Sequence, residues 1–245
     1  MIDIHTHILP SLDDGPQTIE ESIELCKIAA NDGIKTIVAT PHSKDGVYEA
    51  KSDEILRKVT ELNLKLKEIQ LDLEILPGAE VHINERLAED IESGEALAIN
   101  NGKKFILLEL PFIFIPPATD KLISSLKSIG IVSILSHAER IMKFQKKPEI
   151  LEQLVKSGAL VQITAQSLTG DFGSSERKCA EWLLKHNIVH FIASDVHSLT
   201  GRPPILSRAL ERAAKIIGEE EAIALVSHNP RQIINGHDFR PKENY

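Results

Sequence analysis

Short apolar segments alternate with longer amphipathic segments along the chain. The apolar segments are rich in β-branched and aliphatic residues, as at 36–40 and 131–135, and such continuous runs are typical of strands buried on both faces. The amphipathic segments have apolar residues three or four positions apart, as at 51–69, which predicts helices. Seven strands are predicted, at residues 1–7, 36–40, 73–76, 105–109, 131–135, 160–164 and 189–193. Helices are predicted at about 18–33, 51–69, 84–92, 120–128, 148–156, 175–186, 205–217 and 219–226.

Alternation of strands and helices implies parallel strands joined by right-handed crossovers. The predicted fold class is therefore α/β, with one closed or nearly closed barrel and no internal domain boundary over residues 1–245. Residues 240–245 are polar and are expected to form a frayed tail. An open doubly wound sheet fits the same alternation, although no glycine-rich phosphate loop follows the first strand.

Composition narrows the class of protein. A chain of 245 residues with 42% hydrophobic and 26% charged residues suits a single α/β barrel. No apolar run reaches the roughly 18 residues of a membrane span, and the N-terminus lacks a targeting pattern, so we expect a cytoplasmic protein without membrane insertion. The net charge of −8 argues against nucleic-acid binding, because phosphate backbones are held by clustered Lys and Arg. Cys26 and Cys179 are expected to be reduced core residues.

Residues able to bind metal ions follow the predicted strands at their C-terminal ends. His5 and His7 are two positions apart in a strand, so their side chains point to the same side and can reach one ion. Because all parallel strands of a barrel open on one face, residues after different strands converge there. Taken one at a time, Asp14, Glu80 and Glu109 also fit turn or rim carboxylates, but carboxylates gathered without a cation would repel one another. The predicted metal ligands are His5, His7, Asp14, His42, Glu80, Glu109, His137, Asp195 and His197.

Several motifs together resemble the polymerase and histidinol phosphatase (PHP) superfamily. Within that superfamily the chain looks like the bacterial manganese-dependent protein-tyrosine phosphatases of capsule and exopolysaccharide gene clusters. The Asp-Asp-Gly-Pro loop and the Arg-Pro-Pro segment favour this branch over histidinol phosphatase. The motifs are His5-Thr6-His7, Asp13-Asp14-Gly15-Pro16, Thr40-Pro41-His42, Pro77-Gly78-Ala79-Glu80, Ser136-His137-Ala138-Glu139-Arg140 and Ser194-Asp195-Val196-His197 followed by Arg202-Pro203-Pro204.

The resemblance implies a distorted seven-stranded (β/α)7 TIM-like barrel that holds three divalent metal ions at the C-terminal face of its strands. Manganese is the expected metal, with iron or zinc as alternatives. One ion would be bound by His5, His7, Glu80 and Asp195. A second would share Glu80 and add Glu109 and His137, and a third would be bound by Asp14, His42 and His197.

The resemblance also assigns Arg140 and Arg202 to phosphate binding, an ordinary surface salt bridge being the alternative. With Glu80 and Asp14 they are the predicted catalytic residues of a phosphoric monoester hydrolase. The expected reaction is hydrolysis of phosphotyrosine by in-line attack of a metal-activated hydroxide on phosphorus. The Cys-x5-Arg loop of cysteine-based tyrosine phosphatases is absent, because the sixth residues after the two cysteines are Asp32 and Lys185.

The segment 112–117, Phe-Ile-Phe-Ile-Pro-Pro, places unusual apolar surface after Glu109. Two interpretations remain open from the sequence. The segment could form a wall for the aromatic ring of phosphotyrosine, or it could pack on the barrel or on a partner subunit.

Other functions compete with the tyrosine phosphatase. The nearest is a small-molecule phosphomonoesterase of the histidinol-phosphatase type. A metal-dependent amidohydrolase also begins with His-x-His but needs two metals, which would leave Asp14, His42 and His197 surplus. A nuclease or polymerase-editing module fits the net charge poorly, and a non-catalytic binding module fits the full ligand set poorly. By resemblance the substrate would be the tyrosine-rich tail of a cognate bacterial tyrosine kinase that controls polysaccharide export, and the oligomeric state is left open.

Overall fold

Parallel strands form the centre of the fold. The computed structural model of the chain describes residues 1–239, so the predicted tail at 240–245 lies outside the described residues. The strands are β1 (Ile2–Thr6), β2 (Thr36–Ala39), β3 (His42–Ser43), β4 (Glu74–Pro77), β5 (Glu80–His82), β6 (Phe105–Glu109), β7 (Val132–Leu135), β8 (Leu160–Thr164) and β9 (Phe191–Ala193). They form one sheet in the order β1-β2-β4 and a second in the order β3-β5-β6-β7-β8-β9, and every pair is parallel.

The predicted count of seven strands is not confirmed, because two predicted strands are each followed by a second short strand. β2 is separated from β3 by Thr40 and Pro41, and Pro41 has no amide hydrogen to donate to a ladder. β4 is separated from β5 by Gly78 and Ala79. A Cβ atom on Gly78 would lie 2.9 Å from the Val38 side chain, so the chain approaches β2 closely at this break. The two breaks divide the ladder into the two sheets.

Backbone hydrogen bonds bring the first strand beside the segment that follows the last one. The amide of Asp195 donates to the carbonyl of His5 at 2.9 Å, and the amide of His7 donates to the carbonyl of Val196 at 2.9 Å. Thr6 and Val196 form a parallel bridge. The parallel strands of this α/β fold therefore form a curled rather than a flat layer.

Helices follow most strands and cover the outside of the curled sheet. The first helix, α1 (Ile19–Asn31), is capped by Thr18, whose hydroxyl accepts a hydrogen bond from the Glu21 amide at 3.2 Å. Three short helices, Met142–Lys146, Ala165–Thr169 and Asn229–Ile234, were not predicted, and the last predicted helix ends in a π-helical turn at Ala224–His228. The α-helices of residues 1–239 are α1 (Ile19–Asn31), α2 (Ser52–Glu68), α3 (Leu87–Ser93), α4 (Thr119–Ser128), α5 (Met142–Lys146), α6 (Glu149–Lys156), α7 (Ala165–Thr169), α8 (Ser174–Lys185), α9 (Ser207–Ile217), α10 (Glu219–Ile223) and α11 (Asn229–Ile234).

Both faces of the central strands are buried, as their continuous apolar sequences predict. In β6, Ile106 and Leu108 belong to the larger apolar cluster with the helices, whereas Phe105 and Leu107 belong to a smaller cluster with other strands. Side chains alternate along a strand, so Glu109 continues the series of Phe105 and Leu107. This alternation places the Glu109 carboxylate on the inner side of the layer, at the end of the strand.

None of the helices within residues 1–239 combines the length and the apolar character that a bilayer span requires.

Candidate metal centre

The side chains of His5 and His7 turn toward the same point at the end of β1. Their Nε2 atoms lie 3.2 Å apart. Glu80 Oε2 lies 3.3 Å from His5 Nε2 and 3.5 Å from His7 Nε2. Asp195 Oδ1 lies 3.4 and 3.5 Å from the same two nitrogens. All four side chains are buried, and they are the four residues that the resemblance groups around one metal.

Glu80 also faces a second group of ligands. Its Oε1 lies 2.9 Å from His137 Nε2, and its Oε2 lies 3.1 Å from His42 Nδ1. Glu109 contributes Oε1 at 3.7 Å from His137 Nε2 and Oε2 at 3.8 Å from His42 Nδ1. The structure therefore brings Glu80, Glu109 and His137 together as expected, and it places His42 beside them as well.

A third group lies nearer to the surface. Asp14 Oδ1 lies 3.1 Å from His197 Nε2 and 3.7 Å from His42 Nε2. The ligand atoms of His7, Asp14, His42 and His197 all lie within 4.8 Å of one another. The residues of the third expected ligand set therefore lie together. His42 faces the second group, Glu80 and Glu109, with Nδ1, and it faces Asp14 of the third group with Nε2.

The donor atoms of these groups suit a divalent cation. Both carboxylate oxygens of Glu80, Nδ1 of His42 and Nδ1 of His137 are buried, and although Glu80 lies 2.9 Å from His137 and 3.1 Å from His42, none of these four atoms makes a hydrogen bond of regular geometry within the described residues. Buried polar atoms without partners are costly, and imidazole nitrogen and carboxylate oxygen are the ligands that manganese, iron and zinc use in proteins. The residues present therefore fit metal ions.

Burial and charge shift the pKa values of the carboxylates in opposite directions. Burial raises the pKa of Glu109 to about 8, and the charge of Glu80 adds to that rise. Burial would also raise the pKa of Glu80, but the neighbouring His5 and His137 lower it well below the usual range. For Asp195, burial is likewise outweighed by His5 and Arg202, which lower its pKa. The site thus holds two negative carboxylates, Glu80 and Asp195, readily and a third, Glu109, at a cost, as expected of a place built for cations.

Two ligands have an unusual backbone conformation. His137 has a φ of 31° and Asp195 a φ of 54°, which is the left-handed region that non-glycine residues rarely adopt. Such conformations cost on the order of 1–3 kcal/mol and are concentrated at functional sites. The turns after β7 and β9 therefore hold these two side chains in position at some cost in stability.

Side chains behind the ligands set the orientation of the imidazole rings. Asp13 Oδ2 lies 2.7 Å from His7 Nδ1 and accepts the His42 backbone amide at 3.1 Å. Gln162 Oε1 lies 3.0 Å from His5 Nδ1 and accepts the His137 amide at 2.9 Å. Because the Nδ1 atoms of His5 and His7 are engaged, Nε2 of each ring is left to face the metal centre.

The two predicted arginines converge on one carboxylate. Arg140 Nη1 donates to Asp195 Oδ2 at 2.9 Å, and Arg202 Nη2 contacts the same oxygen. Since Asp195 Oδ1 faces the histidines, this carboxylate lies between the metal centre and both guanidinium groups. The arginines form salt bridges, but with a ligand inside the site rather than with a surface residue.

A cleft of about 260 Å³ opens over this assembly. Its wall includes Asp45, which was not predicted. A slightly larger cavity of about 310 Å³ lies between α8, α10 and α11 and contains none of the predicted site residues, so cavity size does not locate the chemistry. The cleft is lined by Asp14, His42, Asp45, Glu109, Phe112, His137, Arg140, Asp195, His197 and Arg202.

Different residues of the apolar segment 112–117 fit different interpretations of the two that its sequence left open. The ring of Phe112 lies 5.0 Å from that of His137 and 4.9 Å from the guanidinium carbon of Arg140, so it forms part of the cleft wall. Ile115 packs against the main apolar cluster. Ile113 and Phe114 remain 75% and 56% exposed, so most of their surface is left uncovered by the described residues.

Sequence reasoning missed several residues of the site. Asp13 belongs to the Asp-Asp-Gly-Pro motif but was assigned no role of its own. Gln162 has a signal in the sequence, because it is a polar residue inside an apolar strand. Phe172, whose ring lies 4.9 Å from the guanidinium carbon of Arg140, carries no local signal in the sequence. Asp45 lies in an ordinary polar loop, and its sequence context also gives no signal of a place in the site.

Comparison with known proteins gives a consistent result over nearly the whole chain. Residues 1–235 match the family model for capsular polysaccharide synthesis, CpsB/CapC. The chain is 35% identical to the tyrosine-protein phosphatase YwqE of Bacillus subtilis over 240 residues, which are 98% of this chain and 94% of the relative. It is 31% identical to the tyrosine-protein phosphatase CpsB of Streptococcus agalactiae over 242 residues, which are 97% of this chain and 99% of that protein.

A solved structure agrees with these sequence matches. It comes from a study of YwqE from Bacillus subtilis and CpsB from Streptococcus pneumoniae, described there as unique metal-dependent tyrosine phosphatases. It superposes with a TM-score of 0.93 at 33% identity and covers 100% of both chains. The similarity therefore includes the fold as well as the sequence.

Proposed function

The chain belongs to the CpsB/CapC family of capsular polysaccharide synthesis, and we propose that it is a metal-dependent tyrosine-protein phosphatase, a phosphoric monoester hydrolase. The observation that carries this function is the convergence of imidazoles, carboxylates and two arginines in one cleft. Relatives that match nearly the full chain are named tyrosine-protein phosphatases, and the superposed structure is that of a metal-dependent tyrosine phosphatase.

We propose three divalent ions, with manganese as the metal and iron or zinc as alternatives. The first would be held by His5, His7, Glu80 and Asp195, the second by Glu80, Glu109 and His137, and the third by Asp14, His42 and His197. Bound divalent ions would supply hydroxide at neutral pH, by lowering the pKa of water from 15.7 toward about 7, and positive charge facing the phosphate. The role of these side chains is to hold that charge in a fixed place.

Charge explains why the site suits a phosphate monoester in an acidic protein. Asp14, Glu80, Glu109 and Asp195 carry four negative charges when ionised, and three divalent ions carry six positive charges, which leaves the mouth at about +2. Arg140 and Arg202 add to this positive field at the edge of the cleft. A net charge of −8 over the whole chain is therefore compatible with an anionic substrate.

The arginines are placed to hold the non-bridging oxygens of the phosphate. Each uses one terminal nitrogen on Asp195 and has further N–H groups left, including the buried Nε of Arg202, which has no hydrogen-bond partner within the described residues. A guanidinium group with two free donors can bind phosphate oxygens as a fork. Their position fixes the phosphorus relative to the ligands and stabilises the charge that grows during transfer.

The leaving group and the cysteines both support direct hydrolysis. A tyrosine phenolate has an ordinary pKa of about 10 and leaves without a strong general acid. Burial raises the pKa of the Cys26 and Cys179 thiols to about 12, so neither is a thiolate nucleophile at neutral pH. No covalent phosphoenzyme is needed.

Chelation compared with alkylation tests this mechanism. The purified protein is assayed with a phosphotyrosine peptide after treatment with EDTA or with iodoacetamide, alongside a Cys26→Ser, Cys179→Ser double variant as control. We expect EDTA to abolish activity, added manganese to restore it, and alkylation and the double variant to leave it unchanged. Loss of activity on alkylation, with none on chelation, would overturn the proposal.

A substrate panel separates this function from a small-molecule phosphatase. We expect a higher kcat/KM for phosphotyrosine peptides than for histidinol phosphate or sugar phosphates, because the cleft carries the aromatic Phe112 beside its arginines. The opposite order would favour the histidinol-phosphatase type.

The physiological substrate we propose is the tyrosine-rich tail of a cognate bacterial tyrosine kinase that controls polysaccharide export. We propose that this protein acts on the tail in the cytoplasm. The family's link to capsular polysaccharide synthesis supports this. Dephosphorylation of that kinase by the wild-type chain, with a His5→Ala variant as control, is the direct measurement. A kinase that keeps its phosphotyrosine in the presence of active enzyme would exclude it as substrate.

A further inference from the structure

Phe172 contacts both arginines of the cleft, although it lies in none of the motifs that carry the resemblance. It occupies the loop between α7 and α8, flanked by Gly170 with a φ of 95° and Gly173 with a φ of 119°. The centre of its ring lies 4.9 Å from the guanidinium carbon of Arg140 and 5.6 Å from that of Arg202. Both distances are within the roughly 6 Å over which a cation is attracted to the face of an aromatic ring.

Arg140 is enclosed by two rings. The Phe112 ring lies 4.9 Å from its guanidinium carbon, as does the Phe172 ring. Its Nη1 atom is fixed on Asp195 Oδ2. Two ring contacts and one charged hydrogen bond therefore restrict a side chain that still has 24% of its surface exposed.

Arg202 is restricted by the same carboxylate and by one ring, that of Phe172. Within residues 1–239, Phe172 is thus the aromatic residue that both guanidinium groups share, whereas Phe112 contacts the guanidinium group of Arg140 and not that of Arg202. A free arginine loses considerable rotamer entropy when it binds a ligand. An arginine already held in its binding orientation loses less, which strengthens binding.

We propose that Phe172 is a positioning residue that holds Arg140 and Arg202 in the orientation in which they bind phosphate. This inference rests on the proposed function, because it takes both arginines as the phosphate-binding groups. Phe172 acts through the two guanidinium groups and touches none of the predicted metal ligands in the contacts described above. Its removal should therefore weaken phosphate binding without removing metal.

Phosphate binding to the metal-loaded protein is the decisive measurement. The Kd for inorganic phosphate is determined by calorimetry for the wild type and for Phe172→Leu, which keeps apolar bulk but has no aromatic face. We expect Kd to rise about tenfold, which corresponds to about 1.4 kcal/mol, while metal content stays at the wild-type level. Phe172→Tyr keeps the ring and should restore binding to within about twofold of the wild type.

Two controls separate positioning from a general disturbance of the loop. Asp171→Asn changes the adjacent residue, which pairs with Thr169 and Arg208 rather than with the cleft arginines, and should leave the phosphate Kd unchanged. In an Arg140→Ala background the effect of Phe172→Leu should shrink, because one of its two partners is gone.

The kinetic constants give a second readout. For a phosphotyrosine peptide the KM of Phe172→Leu should rise in parallel with the phosphate Kd. Equal phosphate affinity in Phe172→Leu and wild type, or a loss of metal in the variant, would overturn the positioning role. A wild-type protein that binds phosphate yet hydrolyses no phosphotyrosine would overturn the proposed function instead, and the comparison of phosphate affinities would still decide the role of Phe172. Failure of the wild type to bind phosphate would overturn both.

Discussion

At the scale of single residues, the metal centre depends on which nitrogen of each histidine is left free. The Nδ1 atoms of His5 and His7 are engaged by Gln162 and Asp13, and Nδ1 of His197 lies 2.9 Å from the backbone carbonyl of Asp195. These contacts direct Nε2 of each ring toward the position of the proposed ions before any ion binds. Pre-orientation of this kind lets weakly basic ligands compete with water for a metal.

Asp13→Asn tests this arrangement. The variant keeps the size of the side chain but loses the negative charge that faces His7 Nδ1 at 2.7 Å and the His42 amide. We expect manganese affinity to fall roughly 10- to 100-fold, as changes behind a ligand typically do, with activity falling in proportion to metal occupancy. Metal titration by calorimetry and elemental analysis measure the effect.

An exposed ion pair provides the control for this variant. Asp72→Asn removes one negative charge from the ion pair of Asp72 with Lys35. The Asp72 side chain is 90% exposed and does not line the cleft, so this variant should change neither metal affinity nor activity. Unchanged metal affinity in Asp13→Asn would show that the carboxylate does not orient His7.

The residues proposed as ligands stand out in the sequence because they follow strands, but the side chains that contact their rings do not. Glu109 was the least distinctive ligand in sequence, and alternation along β6 places it in the cleft beside His137. Asp13 and Gln162 act through contacts with His7 and His5 that depend on how the strands meet in space. Local sequence does not encode those contacts.

At the scale of elements, apolar periodicity predicted the strands and long helices well and failed where structure is short. α2 at Ser52–Glu68 falls within the predicted helix at 51–69. β3 has two residues and β5 has three, which is too short for any periodic signal. The five-residue helices α5 and α7 escaped prediction for the same reason.

The loop after β6 supplies a prediction about substrate choice. Phe114 is 56% exposed and neighbours Phe112 at the cleft, so it is placed to contact the residues around a phosphotyrosine. We expect Phe114→Ala to raise KM about threefold to tenfold for a phosphotyrosine peptide, because a partly covered apolar side chain contributes only part of the roughly 1.5–3 kcal/mol of full burial, and to change KM for a small aryl phosphate less. Steady-state kinetics on both substrates measure the difference.

Leu64→Ala, which truncates a side chain that is 58% exposed on α2, serves as the control and should leave both KM values unchanged. Equal changes in KM for the peptide and the aryl phosphate in Phe114→Ala would indicate that the Phe114 side chain stabilises the loop and does not contact the peptide.

At the scale of the whole molecule, a chain of net charge −8 concentrates buried acids at one face of a curled sheet. The resemblance implied one barrel of seven strands, whereas the described residues form nine strands in two sheets. The breaks at Pro41 and Gly78 were not predicted because they leave no distinctive periodicity in the sequence. Strand order and curvature depend on hydrogen bonds between distant segments, so the pattern of apolar residues predicts the class of fold but not these breaks.

Metal removal should lower the stability of the whole molecule. Metal that binds only the folded state adds about 2.7 kcal/mol at a hundredfold excess over its Kd, and in a chain of this length each kcal/mol shifts Tm by about 2–4 °C. We therefore expect calorimetry to show a Tm about 5–10 °C higher with manganese than with EDTA.

Glu80→Gln is the matched variant for this measurement, since Glu80 faces two of the three ligand groups. It should show a much smaller rise in Tm on addition of manganese. The same Tm for the wild type in manganese and in EDTA would contradict a metal centre that is linked to folding.

The meeting of the first strand with the segment after the last has a consequence for biosynthesis. The Ser194 amide donates to Asp3 Oδ1 across 191 residues of sequence, beside the backbone bonds that join His5 to Asp195. Contacts of such separation form late, because a long loop must close before they contribute any stability. During biosynthesis, His5 and His7 can meet Asp195 and His197 only after the intervening chain has been made and the loop between them has closed. The proposed metal centre therefore forms late in the folding of the chain.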